Sequence, residues 1–140
     1  MTPPLTHIPF ISMDTIPPGA DLVAEVRALN EAGVEIPWAW GLTRTPMSPL
    51  VEQGMLTFGV HNEVGILVWE WGMSAAVPST GTNTEWLSYS LAGLDESGVP
   101  PHAEVPVETV YSAVAEFLTT GERPTCVQWK EAASLLSQYE

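Results

Sequence analysis

The chain is organised around residues 55–71, which read MLTFGVHNEVGILVWEW. Two apolar runs, 55–60 and 65–71, are rich in β-branched and aromatic residues and flank the short polar connection 61–64. This pattern is typical of an antiparallel β-hairpin. We therefore expect the centre of a sheet at this point of the chain.

Further strands are predicted on both sides of this hairpin. The segment IPWAW at 36–40 is a short aromatic strand whose proline suggests a sheet edge or a strand start. Residues 86–91 alternate polar and bulky side chains, so one face of that strand carries Leu87, Tyr89 and Leu91. A polar loop is expected over 95–101, and a last short strand over 125–129 would bury Cys126.

Two amphipathic helices accompany these strands. The first starts at the N-cap Asp21 and stops at Gly33, and its core-facing residues are Leu22, Val26 and Leu29. The second opens at Pro106 and ends at Gly121, with one apolar side formed by Val107, Val110, Val114, Phe117 and Leu118. A terminal helix is compatible with residues 131–139. The order of elements predicts an α+β fold, with an antiparallel sheet of about five strands covered by two or three helices.

Length and composition predict one folded unit. The 140 residues fit a single domain, and 45 % hydrophobic against 15 % charged residues, with six tryptophans, exclude disorder. Residues 1–18 hold five of the thirteen prolines without a clear period, which predicts an extended proline-rich N-terminal arm. Residues 19–140 are then expected to form a single α+β domain.

The charge balance restricts the possible partners. Seventeen acidic residues against four basic ones give a formal charge of −13, which would repel nucleic acid and favours a basic protein partner. A solvated surface that keeps the protein soluble is the simpler interpretation of this charge. Neither a leader peptide in residues 1–10 nor a membrane-spanning run is recognisable, so a cytoplasmic location without membrane contact is expected. One cysteine, Cys126, agrees with a reducing compartment.

A zinc deaminase motif is the nearest approach to a catalytic signature. His102-Ala103-Glu104 has the histidine and glutamate spacing of that chemistry, but the site also needs two thiolates, and the chain has one cysteine. We therefore expect His102 and Glu104 to serve at the entry of the second helix, and His7 and His61 to lie at the surface. Without a recognisable nucleophile, phosphate or dinucleotide motif, the chain is predicted not to be an enzyme and to need no cofactor or metal.

Six tryptophans suggest how a non-enzyme could act. Alternation places Trp69 and Trp71 on one strand face with Glu70 on the opposite face, and it places Trp38 and Trp40 together on theirs. A small domain buries some of these rings in its core, and rings left near carboxylates would resemble the hot spots of protein interfaces.

The C-terminal third resembles a known family. It contains Val105-Pro106-Val107-Glu108, a helix ending Glu116-Phe117-Leu118-Thr119-Thr120-Gly121, then Glu122-Arg123-Pro124 and Val127-Gln128-Trp129. This segment is similar to the first of the numbered Imm families, the immunity proteins of bacterial polymorphic-toxin systems. With the preceding hairpin and the 86–91 strand, the similarity covers residues 55–131.

The resemblance implies an antitoxin. Members of that family are cytoplasmic antidotes, many encoded beside nucleic-acid deaminase toxins, and they inhibit by stoichiometric binding. Residues shared with the family, Gly121, Arg123, Pro124 and Trp129, have a structural explanation as a helix stop, a turn and a strand anchor. A toxin acting on nucleic acid carries a basic cleft that an acidic antidote could occlude.

The partner-binding candidates are acidic and aromatic residues in predicted loops and strand faces: Glu63, Glu70, Trp71, Glu85, Trp86, Asp95 and Glu96. Two alternatives stay open at this point. One is a small-ligand binding domain with a tryptophan-lined pocket, and the other is a hydrolase with a dispersed active site.

Overall fold

A computed structural model describes residues 4–46, 48, 52–72 and 74–132 of the chain. Within these ranges there are two α-helices, α1 (Leu22–Glu31) and α2 (Val107–Thr120), and two 3-10 turns, Leu5–His7 and Met13–Thr15. The strands found there are β1 (Phe10–Ser12), β2 (Trp38–Thr43), β3 (Met55–His61), β4 (Val64–Trp71), β5 (Ser74–Pro78), β6 (Leu87–Leu91), β7 (Asp95–Val99), β8 (Glu104–Pro106) and β9 (Trp129–Glu131).

All of these strands belong to one mixed sheet with the order β7-β6-β2-β3-β4-β5-β9. Two further strands, β1 and β8, pair with strands of this order without being part of it. β1 pairs in parallel with the second half of β2, while β6 pairs in parallel with its first half. β8 covers the first half of β4, and β5 covers its second half. The predicted α+β class is therefore correct, but the expected strand number of about five and the purely antiparallel pairing are wrong.

The hairpin of β3 and β4 is confirmed as the centre of the sheet. Its register runs from Met55 opposite Glu70 to His61 opposite Val64, and the two residues between are the turn. Asn62, at the first turn position, has a φ of 63°, which asparagine tolerates better than most residues.

Both helices follow the predicted end signals. The Asp21 carboxylate accepts a hydrogen bond from the backbone N–H of Ala24 at 3.0 Å and so caps α1. Gly33 follows the end of α1 with a φ of 90°. At the end of α2, Gly121 has a φ of 70° and donates to the carbonyl of Phe117. This left-handed conformation favours glycine there.

Two apolar cores lie on opposite faces of the sheet. In the helix-side core, α1 and α2 pack against one face of the sheet. Its buried residues include Trp40, Leu56, Phe58, Leu67, Val110, Val114 and Phe117. The hairpin-side core contains Ala39, Ile66, Val68, Val77, Tyr89, Val99 and Ala103. Because Ile66 and Leu67 are consecutive in β4, they point to opposite faces and belong to different cores.

The structure corrects the loop predicted over 95–101. Residues 95–99 form β7, which pairs with β6 from Leu91 opposite Asp95 to Leu87 opposite Val99. The sequence DESGV lacks apolar alternation, and Val99 is its one β-branched residue, so it does not have the composition of a typical strand. Pairing with a neighbouring strand, rather than local propensity, makes it a strand.

The strand predicted over 125–129 is also wrong in its bounds, because β9 begins only at Trp129. The preceding backbone is bonded elsewhere: the Glu116 carboxylate accepts the N–H of Thr125 at 2.6 Å and that of Cys126 at 3.0 Å. These hydrogen bonds lower the pKa of Glu116, and the bond from Thr125 has the largest effect. Cys126 is exposed and unpaired, not buried. The helix predicted over 131–139 lies outside the described residues beyond Ala132, and Glu131 belongs to β9.

The N-terminal segment contributes to the sheet. Phe10–Ser12 form β1, and Leu5 and Ile11 are buried in the helix-side core. The boundary between residues 18 and 19 stays a prediction. None of the helices in the described ranges is long and apolar enough to cross a membrane.

Candidate partner-binding surface

Four of the seven candidate residues come together at the β6–β7 hairpin. Asp95 and Glu96 begin β7, while Glu85 and Trp86 directly precede β6. The entry to β6 is fixed by Asn83, whose side-chain amide donates to the carbonyls of Glu85 at 2.9 Å and Pro100 at 3.0 Å. One side chain thereby ties the start of β6 to the end of β7.

The hairpin has an inner and an outer face. Tyr89 and Val99 point inward and are buried in the hairpin-side core, with Leu87 and Leu91 packed beside them. On the outer face, the Trp86 ring lies over Gly98, because a Cβ there would be 3.7 Å from Trp86 Cε3. Glu96 shares this outer face with Gly98, since the two are two residues apart in β7.

The sequence did not single out Leu94, at the tip of the same hairpin. Its side chain is 73 % exposed, the highest value among the exposed large apolar residues, and it directly precedes Asp95 and Glu96. The sequence signal for this tip is Gly93, because glycine between two strands is typical of a turn. In the structure, Gly93 has a φ of 73°. An apolar side chain beside carboxylates is a typical component of a protein interface.

The other three candidates lie elsewhere. Glu63 is in the turn between β3 and β4, and Glu70 and Trp71 are at the other end of β4. Along this eight-residue strand, Glu63 and Glu70 are roughly 23 Å apart. Glu70 accepts a 2.7 Å hydrogen bond from the Thr57 hydroxyl, so it is partly engaged within the sheet. Trp71 is 50 % exposed and points to the face opposite Glu70.

Among the described residues, no basic side chain forms an ion pair with the carboxylates at the β6–β7 hairpin. Arg27 forms the ion pairs found in the described ranges, with Glu108 at 3.2 Å and Glu31 at 3.8 Å, and its guanidinium lies 4.2 Å from the centre of the Tyr111 ring. The hydrogen bond that Arg27 donates to the Glu108 carboxylate raises the pKa of Arg27. Glu63, Glu85, Asp95 and Glu96 have no ion pair among the described residues. These charges are available to an external partner.

The tryptophans serve mainly the fold. Trp40 is fully buried and donates its indole N–H to the carbonyl of Thr6 at 3.0 Å. Trp69 packs against Phe117 with ring centres 6.0 Å apart, and Trp129 donates to the carbonyl of Pro124 at 2.8 Å. An open hollow of about 430 Å³ is lined by Phe10, Ser12, Thr15, Thr43 and Pro46. It contains no tryptophan, so it is not the pocket of the small-ligand alternative.

The residues of the deaminase-like triplet do not form a metal site. His102 donates from Nδ1 to the carbonyl of Gly81 at 3.2 Å, since a carbonyl oxygen only accepts. Glu104 lies in β8 opposite Ile66, so its predicted place at the entry of α2 is wrong; Glu108 is the acidic residue in the first turn of that helix. In the part of the chain that the structure describes, no three potential ligands cluster around a metal position.

Comparison with protein families agrees with the resemblance in the C-terminal third and extends it. The family model described as immunity protein Imm1 matches residues 20–131. This range includes both helices and every strand except β1. No curated protein matches the chain.

Proposed function

The chain belongs to the Imm1 family of immunity proteins, and from this premise we propose that it neutralises a nucleic-acid deaminase toxin by occluding the toxin's basic substrate cleft. Inhibition is by stoichiometric binding, without catalysis, cofactor or metal. The observation that carries the proposal is the set of carboxylates at the β6–β7 hairpin that have no ion-pair partner among the described residues.

The overall charge supports an electrostatic mode of recognition. At −13, the protein attracts a basic partner over several ångströms and steers the encounter. A cleft that binds nucleic acid is lined by Lys and Arg, because it must neutralise phosphates. A surface of unpaired carboxylates beside Leu94 and Trp86 matches that chemistry, with the apolar residues contributing contact area.

The seven candidate residues divide into a main surface and two outlying positions. We propose Glu85, Trp86, Asp95 and Glu96 as the main toxin-facing surface, which we call the hairpin surface. Glu63 on one side, and Glu70 with Trp71 on the other, would contact only a toxin large enough to extend along β4. We further propose that the protein acts in the cytoplasm, where a reducing medium preserves the exposed thiol of Cys126.

The direct test is calorimetry of the protein with the toxin domain encoded by the adjacent gene, together with an assay of toxin activity. One-to-one binding that abolishes deamination is the expected result. The absence of binding at micromolar concentration would contradict this toxin pairing, and binding without loss of activity would contradict occlusion.

The electrostatic part has its own test in a triple variant, Glu85→Gln, Asp95→Asn and Glu96→Gln. We expect roughly three- to tenfold slower association at low salt, with a smaller effect at high salt. The matched control removes the same charge from exposed acids on other elements: Asp14→Asn, Glu122→Gln and Glu131→Gln. Equal rates for the two triple variants would show that net charge, and not the hairpin surface, steers the toxin.

A further inference from the structure

Among the described strands, β7 is the last of the sheet at its end of the order. In the described residues, β7 pairs with β6 on one side and with no strand on the other. Edge strands of this kind present unpaired backbone N–H and C=O groups to which another chain can add a strand.

The hydrogen bonds of β6 identify the groups that point outward. Ser90 and Ala92 donate their N–H groups to the carbonyls of Pro37 and Ala39, both at 2.9 Å, so these positions face β2. The intervening residues of β6 therefore bond to β7, through the pairs Tyr89 with Ser97 and Leu91 with Asp95. It follows that the N–H and C=O groups of Glu96 and Gly98 point away from the sheet.

The side chains around these groups select a basic partner. Asp95 and Glu96 are exposed and have no ion pair among the described residues, and Leu94 is 73 % exposed at the end of the strand. Pairing with a second copy of this chain would bring two such acidic edges together, and each copy carries a charge of −13. A strand with Lys or Arg side chains would gain both the backbone bonds and the charge pairs.

We propose that β7 is a docking edge at which the toxin adds an edge strand bearing Lys or Arg, bonded to the backbone of Glu96 and Gly98. The inference rests on the proposed function and deepens it by naming the mode of contact. The sheet of the immunity protein then continues into the toxin, and the backbone bonds fix the orientation of the complex while the charges select the partner.

The test compares Gly98→Pro with Gly98→Ala. Proline removes the outward N–H, and an edge strand tolerates it where that group faces solvent. Alanine retains the N–H and adds the same Cβ, which meets only the Trp86 ring at 3.7 Å. We expect Gly98→Pro to bind the toxin about tenfold more weakly than Gly98→Ala, mainly through faster dissociation. Equal affinities of the two variants would overturn the docking edge.

Amide hydrogen exchange of the wild-type protein provides a measurement that does not depend on the folding of a variant. Binding of the toxin should protect the amides of Glu96 and Gly98, while the amide of Glu122, an exposed residue after α2 that is not a candidate contact, keeps its rate. Unchanged exchange at Glu96 and Gly98 in a tight complex would overturn the edge but leave the immunity function intact. If the wild type does not bind at all, the proposed function itself fails. If the protein dimerises alone and Gly98→Pro abolishes the dimer, the occupant is a second copy and the proposal is wrong.

Discussion

On the helix-covered face of the sheet, Phe58 and Phe117 are fully buried and each packs against a tryptophan ring, whereas at the β6–β7 hairpin Leu94 and Glu96 face solvent. The two regions also differ in how charge is treated. Arg27 is paired with Glu108 where α1 meets α2, whereas the acids of the hairpin have no ion-pair partner in the part of the chain that the structure describes. Substitutions in the first region should therefore change folding stability, and substitutions on the outer face of the second should change binding.

The largest effect is expected for Phe117→Ala in the helix-side core. Phe117 is fully buried and packs against Trp69, so its removal leaves a cavity and should cost about 3–5 kcal/mol of unfolding free energy. Chemical denaturation measures this loss, and the affinity of the folded fraction for the toxin should stay unchanged. Leu118→Ala, at the half-buried neighbour, should cost clearly less. Similar losses for both variants would contradict the deeper burial of Phe117.

A smaller loss is expected for Asn30→Ala. Asn30 is buried and connects α1 to the central hairpin: its amide donates to the carbonyl of Asn62 at 2.7 Å and its oxygen accepts the N–H of Asn62 at 2.7 Å. The amide also lies 3.1 Å from the Tyr111 hydroxyl. Alanine leaves these groups unsatisfied, which should cost about 1–3 kcal/mol. The exposed neighbour Glu31, changed to Gln, is the control and should stay within about 0.5 kcal/mol of wild type.

The smallest effect, and one of opposite sign, is expected for Tyr89→Phe in the hairpin-side core. The Tyr89 hydroxyl is buried without a hydrogen-bond partner among the described residues, so its removal should be neutral or stabilise by up to about 1 kcal/mol. Burial, with a smaller contribution from Glu104, raises the pKa of this hydroxyl.

The pH dependence of Tyr89→Phe sharpens that prediction. Because the folded-state pKa of Tyr89 is raised, the unfolded chain loses this proton first, and the wild type should lose stability as the pH rises above about 10. Tyr89→Phe should lose less stability over the same range. Denaturation curves at neutral and alkaline pH measure this difference, and parallel curves for the two proteins would show that the hydroxyl is not desolvated.

The elements predicted correctly from sequence are those with local signals. The hairpin of β3 and β4 has two apolar runs and a turn, and each helix has its own start and stop residues. β1, β8 and β9 are three residues each, too short for any period to appear. β7 becomes a strand only because β6 lies beside it, which no window of sequence around DESGV could indicate.

The candidate surface was predicted as single positions and not as a unit. Glu85 and Trp86 lie in one segment of the chain and Asp95 and Glu96 in another, and the β6–β7 pairing brings them together. The error at Cys126 has a similar origin. A strand pattern suggested burial, but the Glu116 carboxylate, nine and ten residues away, holds the backbone of Thr125 and Cys126 outside the sheet. Long-range contacts of this kind cannot be inferred from neighbouring residues.

The shared edge of β2 has a consequence for the order of folding. β3 is close to β2 in the chain, whereas β6, which carries β7, must close a loop of more than forty residues before it pairs with Trp38 and Ala39. Pairings across long loops form late, because their entropy cost comes before any contact is gained. We therefore expect the hairpin surface to be among the last parts to assemble on a newly made chain. Competence to capture a toxin would then report that folding is complete.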